Sequence, residues 1–452
     1  MAVAETGFGV VKDKETKNLV ASRMVYEFIK DMPTRGILSR DEARKVVNIA
    51  SPMGLVAAVI PTTNPTSTAI YKILISVKAG CAIIVSPHPQ ALKCTREATR
   101  IVREAAIGAG APEDLISCMS YPMMEGTQEL MRCPEVAVIL ATGGTELVRA
   151  ANIAGKPAYG VGPGNVPAYI ERSADVSLAV KKILESKCFD NGTVCACEQA
   201  IVVEREIEPE VRRELLANNA YFMNSSEIGA VGDVLVMPTG GINPRLVGQP
   251  AAYIAEAAGI TVPQETSLLM AELEGVGSDY PLSCEKLSPV MAYYVVGDWQ
   301  EACRRCIEIL EFGGLGHTMV LHSRNDRLIM EFAMKKPVYR ILVNTPASQG
   351  AIGATTGLEP ALTLGCGTMG GSITADNITP LHLIHIKRLA YDKDGPPLPT
   401  QEVFTQPLEE AVKEQAVAEP GREGEVRVMA KTLDRSVVEM VVREVLGEKG
   451  LL

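Results

Sequence analysis

Between positions 54 and 154, short apolar runs alternate with amphipathic stretches of helical period, and this alternation limits the possible folds more than any other feature. Positions 55–60, 82–86, 115–119 and 136–141 read as strands, and 67–79, 90–109, 125–132 and 145–154 as helices. Continuous apolar runs suit strands buried on both faces, and a helix between successive strands makes them run parallel. The pattern predicts an α/β fold with a mostly parallel sheet covered on both sides. Ligands of such sheets bind beyond the carboxyl ends of the strands, which places the loops after Ile60, Ser86 and Ala141 at a site. A second α/β unit is expected from about 176 to 365.

A chain of 452 residues has room for two or more domains. Its net charge of −10, without a long basic run, argues against nucleic acid as a partner. No apolar stretch approaches membrane-spanning length and no secretory pattern opens the chain, so no membrane association and a cytoplasmic location are expected. Eleven cysteines, odd in number and scattered, predict free thiols in a reducing compartment. Cys303-Arg304-Arg305-Cys306 has metal-like spacing but no second pair, and reads as helical thiols. His382 and His385 lack an obvious third ligand, and no metal is expected.

Among the thiols, Cys195 is the candidate nucleophile. It lies in Phe189-Asp190-Asn191-Gly192-Thr193-Val194-Cys195-Ala196-Cys197-Glu198-Gln199, just past an apolar helical segment. Small neighbours and a flexible glycine let a substrate reach the sulfur, and the thiolate is the attacking form. Three further segments accompany it: Pro61-Thr62-Thr63-Asn64-Pro65-Thr66 between a strand and a helix, Tyr159-Gly160-Val161-Gly162-Pro163-Gly164-Asn165-Val166-Pro167, and Glu285-Lys286-Leu287-Ser288-Pro289-Val290. The glycines at 160, 162 and 164 have the wrong spacing for a dinucleotide fingerprint, so they read as a tight turn.

With these segments, and with Ala141-Thr142-Gly143-Gly144, Gly313-Gly314-Leu315-Gly316-His317-Thr318 and Asn344-Thr345-Pro346-Ala347-Ser348-Gln349-Gly350, the chain resembles the aldehyde dehydrogenase superfamily over about 1–392. The run around Cys195 resembles its coenzyme-A-acylating branch in particular. The resemblance implies a Rossmann-type NAD-binding domain at 1–175, an α/β catalytic domain at 176–365, and a small segment at 366–392 that adds a strand to a neighbouring subunit in a dimer or tetramer. It also implies a helical segment ahead of the point that Met1 matches.

Roles follow from the same resemblance. Cys195 would add to an aldehyde, with the Asn64 amide and its own N–H holding the oxyanion, and pass the acyl group as a thioester to coenzyme A. Glu285 would hold the nicotinamide ribose, and the pyrophosphate would meet a helix start near Thr142, Gly143 and Gly144. Thr62, Ser86, Pro87, His88, Val161, Gly162 and Leu287 complete the implied cofactor site. NAD is the expected cofactor. NADP stays open, because the lysine and acid that hydrolytic relatives often place after Ser86 are missing. Val161, 34 residues before Cys195, stands where hydrolytic relatives carry a water-activating glutamate. Valine accepts no proton, which favours acyl transfer over hydrolysis. His317 either assists the coenzyme A thiol or is a structural histidine, and Cys197 reads as a small packing residue. The expected substrate is a short aliphatic aldehyde, propionaldehyde or acetaldehyde. A hydrolytic enzyme and a non-catalytic microcompartment scaffold are the competing readings.

After Ala390 the composition turns polar and rich in proline and glutamate, a linker over 393–430. Ser436 and Glu439 then form a capping-box pattern, with Val437, Val438, Val441, Val442 and Val445 on one face of a helix within 431–452. A short valine-rich helix is weak alone. This one resembles the encapsulation peptides that dock enzymes onto bacterial microcompartment shells or onto each other, which would place the protein inside such a compartment. The alternative is a helix docked on its own chain.

Overall fold

The computed structural model describes residues 1–238 and 240–399. A five-stranded parallel sheet holds Ile116–Cys118, Ile83–Ser86, Leu55–Val59, Val136–Thr142 and Ala158–Val161, in that order. The strands and helices expected from the alternation are all present, with ends shifted by a few residues. Val56, Ala57, Ala58, Val138, Ile139, Leu140 and Ala141 are fully buried, as strands covered on both faces require. Each large apolar side chain so buried contributes roughly 2 kcal/mol. The chain winds outward from Leu55–Val59 to one edge, then crosses back to build the other half from Val136–Thr142. This reversal opens a crevice at the carboxyl ends of those two strands.

The helices end where local chemistry dictates. Pro65–Ala79 begins with proline, whose missing N–H costs nothing there, and stops at Gly80 with φ 79°. Leu92–Gly108 turns Cys94, Ala98, Val102 and Ala105 inward and Arg96 and Arg100 outward.

The second sheet has seven parallel strands: Ala220–Phe222, Leu268–Glu272, Val290–Val296, Glu198–Glu204, Val166–Ile170, Gly316–His322 and Val338–Val343. Val166–Ile170 belongs here, so the change from one sheet to the other falls at 162–165 and not at 175. Two apolar runs adjacent in sequence look alike, and only pairing partners decide their sheet. A three-stranded antiparallel sheet joins Gly36–Asp41 and Val46–Pro52 to Ile384–Ala390, with Ile386 opposite Ala50. Residues 36–52 therefore sit with the expected oligomerisation segment, outside the cofactor sheet in which the 1–175 boundary placed them. More than three hundred residues separate the paired strands, and no local pattern reports such a contact.

Near the N-terminus, Val11–Leu19, a π-helical turn at Val20–Met24 and Val25–Ile29 run on as one helix against Pro65–Ala79. The linker expected from 393 starts anchored: Arg40 donates to Pro399 O at 2.6 Å, Tyr391 N–H to Lys45 O at 3.0 Å, and Leu398 is buried. The rest of that linker and the helix expected at 431–452 lie outside the described residues. Among the described residues, no helix is long and apolar enough to cross a membrane. All eleven cysteines are free, and Cys303 and Cys306 lie on the helix Trp299–Gly313. His382 and His385 fall on different elements, His382 capping Thr379 N–H at 3.0 Å.

Candidate active site

Four residues link the carboxyl end of Ala158–Val161 to the amino end of Val166–Ile170, so the crevice of the first sheet faces the amino-terminal edge of the second. The candidate residues collect at that edge. Cys195 precedes Glu198–Glu204, His317 lies at the start of Gly316–His322, Glu285 precedes Val290–Val296, and Gly164 precedes Val166–Ile170. The carboxyl-end rule thus holds for the first sheet, while the second offers its opposite end.

Gly164 is the hub. Its N–H donates to Glu285 Oε1 at 3.1 Å. A Cβ built there would stand 2.3 Å from Cys195 O and 3.1 Å from the His317 ring. The glycines at 160 and 164 therefore serve close approach and not a tight turn: neither has positive φ, and a Cβ on Gly160 would meet Val148 at 2.6 Å.

Cys195 is half-buried. Burial pushes its thiol well above the ordinary range, the Glu285 carboxylate and the Cys366 thiol add to this, and Arg340 opposes it. Burial also raises Glu285 to about 7, against the pull of the Gly164 N–H, Lys187 and Lys286. His317 is held neutral, pushed down to about 3 by burial and then by Arg340. Its Nδ1 pairs with Thr318 Oγ1 at 2.9 Å, and its buried Nε2 has no partner. Arg340 donates to His317 O and to Asn377 Oδ1, both at 2.8 Å, fixing the strand start.

Asn64 joins this group through the nucleophile loop. Its Nδ2 donates to Thr193 O at 2.9 Å and lies 3.3 Å from Thr63 Oγ1, while Lys17 Nζ donates to its Oδ1 at 2.7 Å. Cys195, Asn64, Glu285 and His317 are thus brought to one place. Below the nucleophile, Cys197 does more than pack: its thiol donates to Gly192 O at 3.2 Å and receives Gln199 Nε2 at 3.1 Å. Lys187 Nζ and the Lys286 N–H both hold Gln199 Oε1, at 3.0 and 3.1 Å.

The implied cofactor residues divide. Gly144 starts the helix Thr145–Ile153 without a side-chain cap, and open space surrounds its α-carbon, so the first-turn N–H groups suit a phosphate. Gly143 is closed off by Leu147, which a Cβ at that position would meet at 2.6 Å, and Thr142 Oγ1 lies 3.4 Å from Thr363 Oγ1. Thr62 sits in the loop before Pro65–Ala79, and open space also surrounds Gly162. Ser86 is buried, its hydroxyl paired with Thr127 at 2.8 Å and its carbonyl with Ile60 N–H, so both groups are already engaged. Pro87 is buried, and the exposed His88 caps Gln90 N–H at 3.2 Å. Val161, 2 % exposed, belongs to the apolar core. Leu287 carries φ 47° and its carbonyl receives Gly248 N–H at 2.9 Å.

Sequence reading missed Lys14 and Lys17, which reach Asp190 from the N-terminal helix, and Arg340, which lies on Val338–Val343. Their one visible signal was charge at positions where an apolar residue would be expected, a weak cue without the fold.

The family model of the aldehyde dehydrogenase family matches residues 14–229. The bifunctional aldehyde-alcohol dehydrogenase of Escherichia coli is 45% identical over 395 residues, covering 86% of this chain and 44% of that protein, so the chain spans less than half the length of this relative. The structure of an acetylating aldehyde dehydrogenase from Geobacillus thermoglucosidasius superposes with TM-score 0.85 at 50% identity, covering 88% of each chain. A Rhodopseudomonas palustris propionaldehyde dehydrogenase, solved with CoA and an acylated cysteine, gives TM-score 0.77 at 25% identity over 87% of each chain. The chain belongs to the aldehyde dehydrogenase family.

Proposed function

We propose that the protein oxidises a short aliphatic aldehyde, propionaldehyde or acetaldehyde, to its acyl-CoA, reversibly and with NAD. The observation that carries the acyl-transfer reading is Val161: the position expected to arm water in hydrolytic relatives is an apolar side chain packed in the core. The similarity to a propionaldehyde dehydrogenase with bound CoA and an acylated cysteine supports the same outcome. When bound at the crevice near Gly144, NAD supplies the hydride acceptor.

The chain's own residues do the rest. Cys195 Sγ, as thiolate, forms the bond to the carbonyl carbon, and negative charge moves to the oxygen. The Asn64 amide and the Cys195 N–H are the donors for that oxygen; one such donor is worth roughly 3 kcal/mol in the transition state. Once the carbon is oxidised, the acyl group is a thioester on Cys195, and the coenzyme A thiolate displaces it in an exchange of one thioester for another. His317, fully buried and held neutral by a pKa pushed down to about 3, is a weak base for the incoming thiol, which favours its reading as a structural histidine.

A second reading has its own observation. Glu285 is a carboxyl group near the nucleophile with a pKa raised to about 7, a value suited to a base for water. NADH formation from propionaldehyde with and without coenzyme A separates the readings. Strict dependence on coenzyme A, lost in Cys195→Ala, is the expected result. Turnover without it, diminished in Glu285→Gln, would establish hydrolysis through Glu285, and no turnover in either condition would leave a scaffold.

The open edges at Ile384–Ala390 and Val338–Val343 support a dimer or tetramer built by strand addition. The pattern at 431–452 supports docking onto a microcompartment shell or its core enzymes. Deleting 431–452 is expected to spare turnover and abolish co-sedimentation with shell proteins; unchanged co-packaging would refute the docking role.

A further inference from the structure

Lys17 lies far in sequence from the nucleophile, yet its ammonium group reaches the loop that presents it. Nζ donates to Asn64 Oδ1 at 2.7 Å and to Thr193 Oγ1 and O at 3.2 and 3.3 Å, and it is paired with Asp190 Oδ2. Lys14 reaches the same carboxylate oxygen at 2.6 Å and also holds Thr63 O. Asp190 is further bound by Thr193 Oγ1 at 2.6 Å and Val10 N–H at 2.8 Å. The cluster is closed over by the N-terminal segment, since a Cβ on Gly9 would stand 1.9 Å from Asp190 Oδ1.

A side-chain amide can sit in two orientations that exchange oxygen and nitrogen, and nearby partners choose between them. While protonated, the form that its pairing with Asp190 favours, the Lys17 amine donates and never accepts. Lys17 therefore requires the Asn64 oxygen on its own side, which forces the NH₂ toward the nucleophile loop, where it already meets Thr193 O at 2.9 Å. We propose that Lys17 is a positioning residue that locks the Asn64 amide with its N–H groups facing the acyl-transfer centre. This rests on the reading of Asn64 as an oxyanion donor.

The arrangement is costly for a mere tether. Two lysines, 5 % and 2 % exposed, share the buried Asp190 carboxylate, with Asp13 beside them accepting the Asp190 N–H at 2.7 Å. Burial, reinforced by Lys14, pushes Lys17 down to about 7 against the pull of Asp190. Lys14 and Asp190 alone would form a matched pair that already ties the N-terminal helix to both loops. What Lys17 adds is its contact with Asn64 and Thr193.

Lys17→Met leaves that matched pair in place, so the variant should fold, and its thermal transition checks this. Its kcat in the coenzyme-A-dependent assay should fall by about ten- to a hundredfold with aldehyde and coenzyme A KM little changed, the pattern of a weakened transition-state donor. Asn64→Ala should fall at least as far, and Lys17→Met combined with it should fall no further, because both act through one amide. Lys14→Met, which removes an equal charge from Asp190 but keeps the lock, should turn over about tenfold faster than Lys17→Met. Parental turnover in Lys17→Met, losses that multiply in the double variant, or equal losses in Lys14→Met and Lys17→Met would each overturn the proposal. Parental turnover in Asn64→Ala would instead overturn the role of Asn64 itself, and with it the ground for Lys17.

Discussion

Space at single atoms governs the nucleophile loop. Asp190 and Asn191 both adopt the left-handed region, at φ 53° and 51°, and Gly192 follows at 74°. Aspartate and asparagine tolerate that region better than other side chains do, so the turn before Cys195 is built from residues suited to it. At Gly192 a Cβ would lie 3.1 Å from Ser288 O, and at Gly164 it would lie 2.3 Å from Cys195 O. Both contacts are with backbone, which no rotamer change relieves, and the second is far inside contact distance. Gly164→Ala should therefore displace the nucleophile and lower kcat on the order of a hundredfold, as small misplacements of reacting groups do. Steady-state NADH formation reads this directly, and parental rates would mean that the loop can yield without cost.

At the scale of one element, Gly316–His322 carries a buried histidine near each end. Burial pushes His322 down to about 4, and its Nε2 has no partner. The sign follows from proton binding. As pH falls below 6.5, the unfolded chain takes up a proton that the folded strand refuses, so stability is present above 6.5 and lost toward 4. For His322 alone the loss across that window is roughly 3 kcal/mol. His322→Leu removes both this loss and the orphan nitrogen. Urea midpoints of the variant are expected to change less between pH 6.5 and 4 than those of the parent; parallel curves would show that His322 is already charged in the fold. The elements themselves were largely legible. The strands of the first sheet are near-continuous apolar runs, Pro65 and Gly80 bracket its first helix, and both signals are local.

Across the whole molecule, the site exists because two parallel sheets meet with opposite ends. A chain leaving the carboxyl end of one strand enters the amino end of the next within four residues, and every candidate residue of the second sheet lies on that side. Among the edge strands of the described residues, two carry exposed large apolar side chains: Ile384–Ala390, whose Ile386 and Leu389 are exposed, and Val338–Val343, whose Tyr339 and Val343 are exposed. Exposed apolar edge strands pair readily with another chain. Replacing Ile386 and Leu389 with aspartate should shift the protein to monomers in sedimentation velocity while preserving its secondary structure. An unchanged sedimentation coefficient would place the interface elsewhere.

The amino-acid sequence by itself determined the alternating elements, the parallel first sheet and the family, because each is written in periodicity or in a contiguous motif. Tertiary structure alone decided which strands share a sheet, why residues 36–52 lie against 384–390, and how Lys14 and Lys17 come to face Asp190. It also decided that Ser86 and Val161 are buried, with the Ser86 hydroxyl paired to Thr127. The physical reason is common to all of these: burial and pairing act between residues that are remote along the chain, and a side chain's neighbours, charge state and orientation are set by what packs against it.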